Sequence, residues 1–292
     1  ILRKASDPTV RRRRGADKWT PEYGAYVSHR WQENDIPATY LPTAQPVAVS
    51  PEGVMARGYT ATAADVWLKL SGRHVRIELE AAYLHATVEQ ASLLPGVLFR
   101  DPVTSNQFGA ALETDFGDFE GWGWLGLDAG IASGDDAPGF GAFPAVGQTS
   151  PVRGDIDGAQ ARPPFDNTVD NFRFHPDYRV DRILFRHIIG TVTDAGYLRP
   201  KADLTLLGNH QGRLSFVLAG ILSWAMEPTS TPSGERLLGF EIDPGLQYHS
   251  RHGFSAALEQ ATLIPLAGLD NPDLGLDARV AHSWRTRLMY RL

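Results

Sequence analysis

Apolar and polar side chains alternate with a period of two over several long stretches, the spacing that sends successive side chains to opposite faces of a β-strand. Across residues 238–248 the even positions Leu238, Phe240, Ile242, Pro244, Leu246 and Tyr248 are apolar or aromatic, while Gly239, Glu241, Asp243, Gly245 and Gln247 fall between them. Residues 196–206 repeat the pattern, with Leu198, Ala202, Leu204 and Leu206 opposite Arg199, Lys201, Asp203 and Thr205. Residues 108–116 set Phe108, Ala110, Leu112 and Phe116 against Glu113 and Asp115. Each stretch predicts a strand with one greasy and one wet face.

A soluble β-sandwich would alternate as well, so strand length and loop order decide between the two. The stretches 75–90, 214–226 and 279–292 exceed the usual 5 to 6 residues of a globular strand. They match the roughly 9 to 11 needed to cross a bilayer at a tilt. Short joins at 71–73, 116–121, 208–212 and 250–253 alternate with long ones at 34–59, 91–105, 134–193, 228–235 and 268–277. Short periplasmic turns and long outer loops alternate in this way in an antiparallel transmembrane β-barrel, here of about ten strands with both ends periplasmic. The expected fold class is therefore all-β. Residues 1–292 form one barrel domain, or the carboxy-terminal part of a larger one, and 134–193 form an extracellular or plug-like loop.

Inside that loop, residues 172–180 alternate like an extended segment, and Arg173, His175, Asp177 and Arg179 are its candidate functional residues. Ile183, Leu184, Phe185, Ile188, Ile189 and Val192 follow with helical spacing. In the final stretch Val280, Trp284, Leu288, Tyr290 and Leu292 share a face, which resembles the carboxy-terminal assembly signal of outer-membrane proteins read by the barrel-assembly machinery. The opposite face carries Arg279, Arg285, Arg287 and Arg291. The pore-lining candidates are Arg199, Lys201, Asp203, Glu241, Asp243, Arg285 and Arg287. Two readings of the arginines stand side by side: Arg285 and Arg287 make a pore anion-selective, or they pair with carboxylates across the wall.

Composition narrows the chemistry. There are 29 Gly and 20 Pro, which suits many strands joined by irregular loops, and no Cys, which excludes disulfides and thiolate metal sites. A net charge of -6 argues against a nucleic-acid binder, and Arg11 to Arg14 read as a solvated patch. No apolar run reaches the roughly 18 residues of a membrane helix; residues 214–226 are interrupted by Ser215 and Ser223. The opening Ile1-Leu2-Arg3-Lys4 has neither Met nor a signal-peptide pattern, so an export signal is expected upstream. His175 with Asp177, or His249 and His252 near Ser250, could be arranged for catalysis, but no G-x-S-x-G nucleophile motif accompanies them. Asp155 and Asp157 sit in a Gly-bounded turn that could suit calcium but lacks a downstream Glu. The expectation is no enzyme, no metal and no cofactor. Trp122, Trp124, Trp224 and Trp284 are read as interfacial aromatic girdles.

Residues 126–136 (GLDAGIASGDD) and 171–178 (NFRFHPDY) resemble motifs of alginate-export-type porins. They resemble more strongly an uncharacterised group of myxobacterial and related deltaproteobacterial outer-membrane barrel proteins. There similar motifs lie in the carboxy-terminal portion of longer chains, followed by a run like 188–195 (IIGTVTDA), and the resemblance covers residues 18–292. It implies a barrel in the bacterial outer membrane, among lipid and lipopolysaccharide, and says nothing firm about its substrate. A porin-like channel is expected to pass small solutes, anionic ones if Arg285 and Arg287 line it, as the alginate-export likeness also suggests, and by its charge no nucleic acid. The alternative is a barrel that does not conduct and serves as a structural or adhesion platform.

Overall fold

The alternating stretches fold as neighbouring strands of one antiparallel sheet in the computed structural model, which describes residues 1–35, 54–92, 98–119, 121–141, 156, 161, 163 and 165–291. The strands are β1 (Leu2–Arg3), β2 (Thr20–Asp35), β3 (Met55–Ser71), β4 (Val75–Val88), β5 (Val103–Asp118), β6 (Gly123–Ala132), β7 (Ala195–Gly208), β8 (Gly212–Ala225), β9 (Leu237–Ser250), β10 (Phe254–Pro265) and β11 (Ala281–Tyr290). Each pairs with the next in sequence, so the order runs from β1 to β11 without a crossover. Ten strands are long and β1 has two residues. Among the described residues no pairing joins the two ends of the sheet.

A nine-residue helix, α1 (Asp7–Gly15), precedes β2, with a proline in its first turn, where the missing N–H costs nothing, and Arg12, Arg13 and Arg14 in its last. The arginine run is not a free solvated patch. Arg13 donates to the Trp19 carbonyl and Arg14 to the Gly72 carbonyl, which ties the helix to the first tight turn of the sheet.

The two faces of the sheet are chemically inverted relative to a soluble domain. On one face Leu218, Leu222, Ile242, Leu246, Leu258, Trp284 and Leu288 stand exposed. On the other Asp115, Asp128, Glu241, Asp243 and Glu259 are buried. Leu238 departs from the predicted pattern: it is buried on the inner face, because the β8–β9 register shifts between Ser223/Gly239 and Trp224/Leu237. The extra residue forms a bulge, and a one-residue bulge reverses the side to which the chain points.

What packs on the inner face is the described part of the chain between β6 and β7. It buries Phe140, Phe174, Val180, Leu184, Phe185 and Val192 against Tyr197, Ala219, Ile221, Leu238, Ala261 and Leu263 of the strands. The helical spacing at 183–192 is realised as one π-helical turn, Leu184–Ile188. Gly109 makes the close approach possible. A Cβ there would lie 2.3 Å from the Phe172 ring, so only glycine lets this segment lie flat on β5.

Candidate functional site on the inner face

Charged side chains of β3 to β7 meet on the inner face because odd positions of β3, β5 and β7 and even positions of β4 and β6 share that side. Arg76 contacts Glu78 (2.5 Å), Glu113 (2.8 Å) and Asp115 (2.8 Å), and Lys69 reaches Glu78 at 3.2 Å. Lys201 bridges Asp115 (3.0 Å) and Asp128 (2.7 Å), and Arg199 completes the row on Asp128 at 2.8 Å. Lys201 fits because β6 has Gly126 beneath it, where a Cβ would fall 2.6 Å from the lysine Cε. Trp124 faces inward over Lys201, at 5.3 Å, so it is no part of an outward girdle. Trp284 is exposed on the outer face, and Asp203 pairs with Arg213 at 2.9 Å.

A second group forms where the inserted segment meets β9 to β11. The Glu241 carboxylate, 1% exposed, accepts the backbone N–H groups of Arg182 (2.9 Å), Ile183 (2.9 Å) and Leu184 (3.1 Å). Asp181 accepts those of Phe185 (2.8 Å) and Arg186 (3.2 Å). Together they hold five N–H groups at the start of the π-helical turn, donors that the turn itself cannot satisfy. The Arg182 side chain runs to Glu259 (2.9 Å) and Asp243 (3.6 Å). Arg287 lies 2.7 Å from Glu259 and Arg285 3.9 Å. A cavity of about 410 Å³ opens between this group and the first, lined by Arg182, Arg186, Arg199, Lys201, Asp243 and Arg285 among others.

All seven pore-lining candidates therefore share the inner face. Arg285 and Arg287 have a carboxylate partner, Glu259. The four loop candidates divide. Arg173 is partly buried and bridges to Thr193 through its backbone. His175, Asp177 and Arg179 are exposed, with His175 Nδ1 at 3.7 Å and Arg179 at 3.8 Å from Asp177. Sequence reasoning missed Arg76, Glu78, Asp181, Arg182, Arg186 and Glu259. The alternation of Arg76, Glu78 and Glu80 with Val75, Ile77 and Leu79 signals the first two. The Asp155 and Asp157 carboxylates lie outside the described residues. Among the described ones, Asp135, Asp136 and Asp166 bring possible ligand atoms within 4.8 Å of one another, but Asp135 already accepts the N–H groups of Ala137 (3.0 Å) and Asp170 (2.7 Å).

Burial, and then the neighbouring Glu241 charge, push the Asp181 carboxyl from 3.8 up to about 7, against the two N–H bonds that favour its charged form. A raised carboxyl means that the docked segment binds a proton more readily than the free one. Its contribution is full below about pH 4 and is lost as the pH rises through about 7. Asp194, also raised to about 7 by burial, adds the same sign at the other end of the segment. The Phe185 and Arg186 amides are therefore expected to exchange faster above pH 7 than base catalysis alone predicts. Asp181→Asn should remove that excess locally while any slope from Asp194 persists. An unchanged excess in the variant would refute the assignment.

No protein-family model matches the chain, and no curated protein does. Among solved structures it is similar to CdiB from Escherichia coli, at 16% identity with a TM-score of 0.30, over 93% of this chain and 49% of that one. The chain thus spans about half the length of that protein.

Proposed function

We propose that the protein is an outer-membrane β-barrel channel for small solutes, its bore narrowed from within by residues 165–193. The observation that carries this reading is the inversion of the sheet, with Ile242, Leu246, Leu258 and Leu288 exposed on one side and Glu241, Asp243 and Glu259 buried on the other. In water such a surface would drive aggregation, whereas in a bilayer the apolar face meets lipid and the polar face a protein-lined interior. Solutes pass along the charged row of β3 to β7, which the segment leaves partly uncovered. The long joins lie on the outer side and the short turns on the periplasmic side.

A second reading, a barrel that does not conduct, is favoured by the apolar core that the segment builds on β6 to β10. Planar bilayers separate the two. The wild type is expected to show small single-channel steps, and deletion of 165–193 large ones. A silent wild type with a conducting deletion variant marks the segment as a complete plug, and silence of both marks a structural barrel. Heat-modifiable migration on gels tests the barrel itself, and its absence would overturn the membrane assignment. Orientation is read on intact cells: Cys at Leu274 should react with an impermeant reagent, and Cys at His210 only after the outer membrane is broken. The reverse pattern would invert the topology.

A further inference from the structure

Arg186 stands among the half-buried arginines of the inserted segment without a carboxylate partner. It projects from the π-helical turn, and among the described residues no carboxylate lies within 4 Å of its guanidinium, in contrast to Arg182, Arg285 and Arg287 beside it. Burial, and then the charges of Arg179, Arg285 and Arg182, hold its guanidinium below the usual arginine value, which records an environment unfavourable to its charge. Around it, Arg182, Arg285 and Arg287 lie within 4 Å of Glu259, and Arg182 also of Asp243, while Glu241 and Asp181 are taken up by the backbone N–H groups of the same turn. Of the charged side chains that line the space beside Arg186, three are guanidiniums, Arg182, Arg186 and Arg285, and one is a carboxylate, Glu259, and Arg285 is 41% exposed, so an ion can reach them from solvent. A cavity of about 270 Å³ opens there, lined by Arg182, Arg186, His187, Glu259, Ser283 and Arg285. That volume has room for a small ion together with several waters of about 30 Å³ each.

We propose that Arg182, Arg186 and Arg285 form a binding site for a small, doubly charged tetrahedral oxyanion of the phosphate class, which clasps the inserted segment to β11. A tetrahedral ion presents oxygens in several directions at once, which suits guanidiniums that arrive from two different elements. Charge-assisted hydrogen bonds from arginine to such oxygens are the strong kind. The bound ion replaces mutual repulsion of the arginines by shared attraction, so the segment docks more firmly when it is present. The site stands apart from the channel reading, since it requires only that the segment lie against the wall.

The test titrates inorganic phosphate into the full chain in detergent at pH 7.5, with sodium chloride exchanged for phosphate at constant ionic strength. Calorimetry should show saturable binding of about one ion per chain, weakened at least tenfold in Arg186→Gln and in Arg285→Gln. Arg251→Gln, in an exposed turn, should bind as the wild type does. Amide exchange across 184–188 should slow in phosphate for the wild type and remain unchanged in Arg186→Gln. Non-saturable heats, or equal affinity in the wild type and Arg186→Gln, would overturn the site. A silent protein in planar bilayers that still binds phosphate would fail the channel reading alone.

Discussion

Glu241→Ala is expected to undock the start of the π-helical turn and to cost roughly 3 to 5 kcal/mol of stability. The carboxylate is 1% exposed and is the acceptor for three backbone N–H groups, at 2.9, 2.9 and 3.1 Å. A buried donor left without a partner costs about 1 to 3 kcal/mol. Three such costs are partly offset, because removing the charge relieves its repulsion of Asp181 and lets water enter. Glu241→Gln keeps one carbonyl oxygen as an acceptor and should fall between alanine and the wild type. The readout is hydrogen exchange at Arg182, Ile183 and Leu184, together with unfolding in denaturant. Full protection of those three amides in Glu241→Ala would show that the turn is held by other means.

The second large effect is expected one residue along the same strand, on the opposite face. Ile242 is 37% exposed and points outward. If that face meets lipid near the midplane, Ile242→Arg impairs assembly by about 2 to 4 kcal/mol. Gln247→Arg, on the inner face beside the charged cavity, should be tolerated. Gly245 is not a fair inner-face control, although the alternation alone suggests one: a Cβ there would lie 3.0 Å from Val217 Cγ2 and 3.3 Å from the Leu258 carbonyl oxygen. Folding yield into detergent or vesicles measures both variants. Equal yields for Ile242→Arg and Gln247→Arg would sink the lipid-facing assignment.

Period-two alternation revealed most of the sheet because the inner and outer faces of β5, β7 and β9 differ so sharply in polarity. The charged residues Arg199, Lys201, Glu241 and Asp243 could be placed on one face from that pattern alone. It was less informative in β10, where Ala257, Ala261 and Leu263 point inward with Glu259 and both faces read as apolar. There the inner face is lined by small and apolar residues because it packs against the segment and not against water. The inward turn of Leu238 was hidden for another reason: a bulge is set by the pairing of two strands, which neither strand records by itself. Likewise the segment's helical spacing was visible at 183–192, but its target was not. The carboxylates that hold it lie on β9 and β10, far along the chain, and nothing local to Asp181 or Arg182 points to them.

That separation fixes an order of events during folding. The segment emerges between β6 and β7, yet its anchors, Glu241 on β9 and Glu259 on β10, belong to hairpins that come later in the chain. Contacts so distant in sequence form only after the intervening chain has been closed into place, and loop closure makes them slow. The segment can begin to pack on Tyr197, Ala219 and Ile221 once β7 and β8 are in place, but its π-helical turn has no acceptor for the N–H groups of 182–184 until Glu241 arrives with β9. Completion of that turn therefore follows the pairing of β9, and a chain truncated before β9 would leave residues 182–186 open to proteases.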